Sequence, residues 1–191
     1  MKEIVIATKN SHKIIEFKEM LEPMGYQVLS LFDFEEVPDI EETGTSFREN
    51  AMVKAKALSD YLNKTVIADD SGLEVFSLNK DPGIYSARYA GIEKDYNKNN
   101  ELLLKNLEGI TDRKARFVTA MCIYYIDQDP VIAVDFLYGE IIDEYRGDNG
   151  FGYDPIFYLK ELDKTLAELP MNQKNELSHR GKCLKQIIKY L

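Results

Sequence analysis

The sequence predicts an α/β fold: an elongated mixed central sheet flanked by helices, arranged as two lobes with a cleft between them. Three observations carry this expectation. Short apolar runs alternate with amphipathic helical patterns up to an Asp69-Asp70 pair, the order that builds a parallel sheet. Two long β-rich runs follow, separated by Asp127-Gln128-Asp129-Pro130, which reads as an antiparallel hairpin. The 191 residues suffice for a single domain with two lobes, and neither an internal repeat nor a Ser/Gly-rich linker interrupts them.

Each element has its own signal. Ile4-Val5-Ile6-Ala7 is a short buried strand. Residues 11–21 place Ile14, Ile15, Phe17, Lys18 and Leu21 on one helical side, and Pro23 and Gly25 stop that helix. Residues 27–31 return to strand, and the acidic stretch 35–44 reads as a loop. Residues 45–62 form a long helix, capped by Thr45 or Ser46, with Phe47, Ala51, Ala55 and Leu58 at helical spacing. A strand over 65–68 ends at the acidic pair, and Asp81-Pro82-Gly83 is a turn. Residues 94–107 form a polar helix around Leu102-Leu103-Leu104; 114–126 and 131–143 form the hairpin; Phe157 begins a short strand; 165–169 and 178–191 are helical.

The bulk properties narrow the function. Apolar residues make up 45% and charged residues 30%, as in soluble enzymes. No apolar run is long enough to cross a bilayer, and residues 1–8 resemble a strand rather than a signal peptide. A cytoplasmic protein with no membrane partner is expected. Cys122 and Cys183 show no metal-ligand spacing and are too few for a disulfide framework, so they read as buried thiols. The net charge of −9, from 24 basic and 33 acidic residues, repels a nucleic-acid backbone, and no long basic cluster offsets it. Nucleic acid is therefore disfavoured. A small phosphorylated ligand is favoured, because a few lysines and a divalent cation neutralise it locally.

Five segments carry residue types suited to such a ligand. In Thr8-Lys9-Asn10-Ser11-His12-Lys13 a strand runs into a helix whose first amides attract anions, with Lys13 adding charge. It lacks the glycines of a standard phosphate loop, and the alternative is a capped helix with a solvated lysine. In Glu41-Glu42-Thr43-Gly44, followed by Glu49-Asn50-Ala51 and Lys54-Ala55, loop carboxylates suit Mg²⁺, and Lys54 shares a helix side with Asn50. The alternative is a solvated loop and an ordinary helix. Asp69 and Asp70 lie at the end of a buried strand, where α/β sheets place ligands. They converge on one metal only if the strand breaks at Ser71-Gly72, because consecutive strand residues face opposite ways. The alternative there is an Asx-capped turn. Arg88, between Tyr85 and Tyr89, offers a phosphate contact beside a stacking ring, or a packed surface loop. Phe151-Gly152-Tyr153-Asp154 suits a planar base, Lys174 a phosphate or base oxygen, and His179 and Arg180 donate to a 6-oxo group.

In this order and spacing the segments resemble the inosine triphosphate pyrophosphatase family, also called Ham1-like, from Ile4 to about Leu184. The ordered set Thr-x-Asn-x-x-Lys, Glu-Asn-Ala-x-x-Lys-Ala, Ala-Asp-Asp-Ser-Gly-Leu, Pro-Gly-Ile-Tyr-Ser-Ala-Arg, Gly-Phe-Gly-Tyr-Asp-Pro and Ser-His-Arg is highly specific. The resemblance implies a homodimeric, Mg²⁺-dependent enzyme that hydrolyses ITP, dITP and XTP to the monophosphate and pyrophosphate, removing deaminated purines from the nucleotide pool. It implies that Thr8, Lys9, Asn10, Ser11, His12 and Lys13 form a triphosphate loop, with His12 at a variable position. Lys54 and Ser71 contact substrate, Asp70 accepts the proton of an attacking water, and Glu41, Asp69 and Asp70 associate with Mg²⁺. Phe151, Gly152, Tyr153, Asp154, Lys174, His179 and Arg180 bind the base, and Arg88 lies in a matched motif. Lys13 and Asp70 are the expected catalytic pair. One departure is Asn79-Lys80-Asp81, where many members carry glycines; a stiffer loop is expected there. Two competing readings are a nucleotide sensor without turnover, which gains nothing from the acidic set, and a Maf-type hydrolase of modified pyrimidine nucleotides.

Overall fold

The computed structural model describes residues 2–91 and 95–191. Strand β1 (Lys2–Ile6) leads through α1 (Ser11–Leu21) to β2 (Tyr26–Ser30), then through α2 (Phe47–Leu62) to β3 (Val66–Val75). Helix α3 (Tyr96–Asn106), strands β4 (Lys114–Tyr124), β5 (Val131–Ile141), β6 (Phe157–Leu159) and β7 (Lys164–Thr165), and helices α4 (Met171–Leu177) and α5 (His179–Ile187) follow. Residue 94, the expected start of the polar helix, lies outside the described residues. The seven strands form one sheet in the order β2-β1-β3-β4-β5-β6-β7. β1 pairs in parallel with β2 and β3, whereas β5–β6 and β6–β7 are antiparallel, so the sheet is mixed. β4 and β5 are neighbours joined by residues 125–130, too short for a parallel crossover, which makes them the expected hairpin.

The chain divides into two compact units. The first holds Met1–Asp70, Thr119–Asp135 and Gly181–Leu191; the second holds Ser71–Val118 and Phe136–Arg180. Each has its own apolar core. In the first, Ile4, Ile6, Phe17, Leu21, Val28, Ile67, Met121, Ile123 and Leu184 pack together. In the second, Leu73, Val75, Leu103, Leu107, Phe117, Tyr153, Phe157 and Leu166 do so.

The order β2-β1-β3 positions the chemistry of the first unit. The chain leaves β1 towards β2 on one side and returns to β3 on the other. Right-handed crossovers then place α1 and α2 on opposite faces of these strands. β1 ends beside Ile67 of β3, so the loop after β1 and the Asp69-Asp70 stretch of β3 lie at a topological switch point, where such sheets hold ligands.

Several local expectations change. β3 does not end at the acidic pair; it continues as one strand to Val75. Ser71-Gly72 therefore makes no break, and the aspartates alternate instead of converging. Residues 165–169 are not a helical run: β7 ends at Thr165, and Leu166–Glu168 form a single 3-10 turn closed by a Thr165/Glu168 capping box. Helix α4, directly after Pro170, occupies a stretch to which the sequence reading assigned no element. In α1, Ile15 is 47% exposed while Glu16 is buried, so the apolar stripe is narrower than its spacing suggests. Cys122 and Cys183 are both buried, and neither is in a disulfide.

In the Asn79-Lys80-Asp81 turn, Asn79 (φ 54°) and Lys80 (φ 73°) are both left-handed. The turn is held by Lys80 N–H donating to Val75 O at 3.0 Å and Asp81 N–H to Leu78 O at 2.9 Å. A left-handed residue with a side chain costs about 1–2 kcal/mol, of which glycine's extra unfolded-state entropy takes back about 0.5–1 kcal/mol. Lys80→Gly should accordingly stabilise the protein by about 0.5–1 kcal/mol, read as a higher urea midpoint. A lower midpoint would show that the lysine side chain contributes more than its backbone strain costs.

Candidate active site

In the first unit the chain after β1 turns sharply into α1. Thr8 Oγ1 accepts from Asn10 N–H at 3.1 Å, and Asn10 caps the helix, its Oδ1 accepting from His12 N–H at 3.0 Å and Lys13 N–H at 3.4 Å. Two of the amides expected to face an anion are thus taken by the cap. Lys9, Ser11 and His12 are exposed. Lys13 reaches across to Asp69, its Nζ 2.7 Å from Oδ2. Asp69 is itself 1% exposed.

Asp70 turns to the other face and meets α2. Asn50 Nδ2 donates to its Oδ2 at 3.0 Å. Lys54, one turn along α2, donates to Glu42 Oε1 and to the Asp69 carbonyl, each at 2.7 Å. This separation follows from the period of a strand and the opposite placement of the two helices. Burial raises the Asp70 pKa, and Glu42 adds to the rise; Lys54, Lys13 and the Asn50 bond oppose it without cancelling it. Burial works against the charge of Lys54, but Asp70, Glu42 and Asp69 outweigh it and its pKa is raised. Lys54 is therefore a permanent cation beside a carboxylate that protonates more readily than usual.

The loop carboxylate in this cluster is Glu42, whereas Glu41 is exposed. The sequence reading selected the neighbouring glutamate because an irregular loop has no period from which to decide which side chain turns inward. It placed Asn50 on the helix side of Lys54, where both could face one ligand, but named only Lys54 among the site residues. The available signal for Asn50 was its position one turn before Lys54 in a helix interior, where asparagine is a poor helix former. Among the described residues no three acidic, histidine or cysteine side chains gather closely enough to hold a metal by themselves.

The second unit holds the remaining residues. Asp154 and Lys174 form a buried ion pair at 2.7 Å, with side chains only 5% and 3% exposed. The same Asp154 oxygen accepts the Phe151 N–H at 2.8 Å. Gly150 (φ +78°) permits this, since a Cβ there would stand 2.1 Å from Asp154 Oδ2. Gly152 is also left-handed, and its carbonyl accepts from Asn100 Nδ2 at 3.0 Å. The half-buried Phe151 ring has Lys174 Nζ at 5.0 Å and the Arg180 guanidinium at 5.7 Å, within cation–π range. Arg180 also donates to Ser71 Oγ at 3.2 Å. His179 is buried and stacks on Phe117 at 4.8 Å, with 8° between the rings.

Phe151, Lys174 and Arg180 are therefore brought together, with Asp154 as their anchor. Tyr153 is placed differently: it is buried in the core, its hydroxyl donates to Ser86 O at 2.9 Å, and burial raises its pKa. It supports the turn instead of supplying a second face for a base. Arg88 is exposed and lies 5.3 Å from the ring of Tyr85.

Comparison with known proteins agrees over the full length. The Ham1 family model matches residues 4–190. A dITP/XTP pyrophosphatase of Bacillus licheniformis is 52% identical over 189 residues, covering 98% of this chain and 96% of the relative. The dITP/XTP pyrophosphatase of Bacillus subtilis is 49% identical, covering 100% and 98%. Among solved structures, the Ham1 protein of Staphylococcus aureus superposes with a TM-score of 0.88 at 48% identity, covering 99% of this chain and 97% of that one. A HAM1 protein of Coxiella burnetii gives 0.89 at 41% identity, covering 100% and 98%.

The Asp154–Lys174 pair is the structural anchor of the aromatic cluster, and removing one member strands a buried charge. Asp154→Ala should cost about 3–5 kcal/mol in urea unfolding. A loss below about 1 kcal/mol would show that the pair behaves like a solvent-exposed one and anchors nothing.

Proposed function

This chain belongs to the Ham1 family, and from that premise we propose that it is a nucleoside triphosphate pyrophosphatase acting on non-standard purine nucleotides. Its substrates are dITP, ITP and XTP, and its products are the nucleoside monophosphate and pyrophosphate. The observation that carries this reading is the buried Asp70, held by Asn50 beside Lys54 at the switch point of a doubly wound sheet. A carboxylate with a raised pKa, fixed among cations, is suited to take a proton from water as it attacks a phosphorus atom.

Lys13 and Lys54 supply positive charge to the triphosphate, and Asp70 accepts the water proton. The second unit supplies the base site: the Phe151 ring stacks, and Lys174, His179 and Arg180 provide donors that a 6-oxo group satisfies. Adenine offers an amino group at that position and leaves those donors unpaired, a penalty of up to about 10,000- to 100,000-fold.

Mg²⁺ fits this donor set. It is a hard cation that binds through one or two carboxylates together with substrate phosphates, and Asp70 and Glu42, both beside Lys54, would offer oxygens on the α2 face, whereas Asp69 faces the other way in its ion pair with Lys13. Of the two loop glutamates, Glu42 rather than Glu41 is the natural contributor. When bound, the ion supplies charge neutralisation on the phosphate oxygens. A homodimer working in the cytoplasm on the nucleotide pool completes the proposal. No described helix is long and apolar enough to cross a membrane, and the acidic surface disfavours nucleic acid.

Pyrophosphate release from dITP, ITP, XTP, ATP and GTP, with Mg²⁺ or with EDTA, tests the reading. Fast Mg²⁺-dependent release from the first three, with ATP and GTP poor, is expected. Equal efficiency on ATP would sink the base site, and orthophosphate as the product would move the attack to the γ position. Asp70 adds a pH signature. Only its ionised form accepts a proton, so kcat/KM should fall with decreasing pH through a pKa above the usual carboxylate range. The stability signs are opposite. A raised folded-state pKa means that Asp70 favours the folded state at low pH, and that contribution is lost as pH rises through the folded pKa. Asp70→Asn should therefore lose about 100- to 10,000-fold in kcat while unfolding at pH 7 no more easily than the parent. An Asn variant with normal turnover would remove Asp70 from the mechanism.

A further inference from the structure

We propose that Asn50 is a positioning residue for this reaction, holding the Asp70 carboxylate in its working orientation through an amide whose direction is dictated by the loop before α2. The inference rests on the function proposed above and assigns a role that the sequence reading left empty.

Asn50 is 1% exposed and both ends of its amide are engaged. Oδ1 accepts the Gly44 N–H at 2.8 Å, and Nδ2 donates to Asp70 Oδ2 at 3.0 Å. A backbone N–H can only donate, so the oxygen must face Gly44 and the amino group must face Asp70. A flip would lose both bonds and set the amide oxygen against the carboxylate. The orientation is thus imposed by chemistry. Gly44 is needed for the approach, since a Cβ there would stand 2.6 Å from Asn50 Oδ1 and 2.7 Å from Glu49 Cβ.

The same amide links two parts of the site. Gly44 follows Glu42 by two residues, and Glu42 pairs with Lys54 on the next turn of α2 after Asn50. One buried side chain therefore ties down the loop that presents Glu42 and orients the carboxylate on β3. No other side chain of this size does both. Aspartate keeps the Gly44 bond but sets a second carboxyl against Asp70 in place of the amide donor, leucine offers neither, and glutamine is one methylene longer than the gap.

The test compares Asn50→Asp and Asn50→Ala with the parent, using dITP and Mg²⁺, and adds each change to Asp70→Asn. Asn50→Asp preserves volume and the Gly44 bond, so the loop stays tied while the donor is lost. Its kcat should fall at least about 100-fold with KM within about threefold, the pattern of an interaction realised in the transition state. On the Asp70→Asn background Asn50→Asp, which keeps the Gly44 bond, should lower the residual kcat no further, because this arm of Asn50 acts through Asp70. The urea midpoints of the two single variants and the double variant should likewise fail to add. A near-normal kcat for Asn50→Asp, a raised KM with kcat intact, or additive effects in the double variant would each overturn the proposal. The parent's pyrophosphate release in the same assay reports separately on the function itself. Should that fail, the unfolding cycle still decides: non-additivity supports the Asn50–Asp70 coupling and additivity refutes it.

Discussion

Two buried carboxylates on consecutive residues of one unbroken strand set the organisation of the first unit. A strand sends neighbouring side chains to opposite faces, so Asp69 and Asp70 cannot share one environment. Each needs its own compensation, since an isolated buried carboxylate is costly. The crossover rule supplies it. Helix α1 lies on one face and brings Lys13 to Asp69; α2 lies on the other and brings Asn50 to Asp70. The difference between the partners makes the difference in chemistry. A lysine at 2.7 Å holds Asp69 in an ion pair, whereas a neutral amide leaves burial as the largest influence on Asp70. The residue suited to exchange protons is the one for which burial outweighs the neighbouring cations.

The second unit uses the opposite arrangement. Asp154 has a direct cation, Lys174, and a backbone N–H on the same oxygen. That environment suits an anchor instead of a base. It fixes the turn through Gly150 and Gly152, so the Phe151 ring stands beside the two cations. The hydroxyl of Tyr153 is used in the same spirit, bonded to a backbone carbonyl in the core. Of the four residues of Phe151-Gly152-Tyr153-Asp154, one is proposed to present a face to the base, and three hold the turn in place.

How far the sequence was legible depends on whether a periodic rule applied. Ser46 as the cap of α2, its buried face of Phe47, Ala51, Ala55 and Leu58, and the β4–β5 hairpin all follow from spacing, and the structure contains them. The strand end at Asp70 was misjudged because Ser71-Gly72 looks like a breaker. Pairing within a central, buried strand overrides that local preference, since Gly72 and Leu73 are as buried as the residues before them. The capping box at Thr165 and the start of α4 depend on contacts local to a few residues and carry no long pattern. The inward turn of Glu42 and the specific partners of Asn50 escaped for a related reason: Glu42 meets Lys54, and Asn50 meets Gly44 and Asp70, through contacts that no period encodes.

The placement of charge bears on how a polyanion enters a protein of net charge −9. The cations proposed to meet it are shielded from the general field: Lys13 and Lys54 are about 15% exposed as side chains, and Lys174 is 3% exposed. Each also stands 2.7 Å from a carboxylate. This solves one problem and creates another. Lys54 keeps its charge despite burial, its pKa raised by Asp70, Glu42 and Asp69, but a phosphate must compete with the carboxylate already present. A triphosphate carrying its own divalent cation would meet both demands on the α2 face, offering positive charge to Glu42 and phosphate oxygens to Lys54. A bare triphosphate would offer only the second and leave that carboxylate without compensation in a largely buried site. On the proposed reading, the pre-formed ion pairs make the site selective for the cation-bound nucleotide before any base is read.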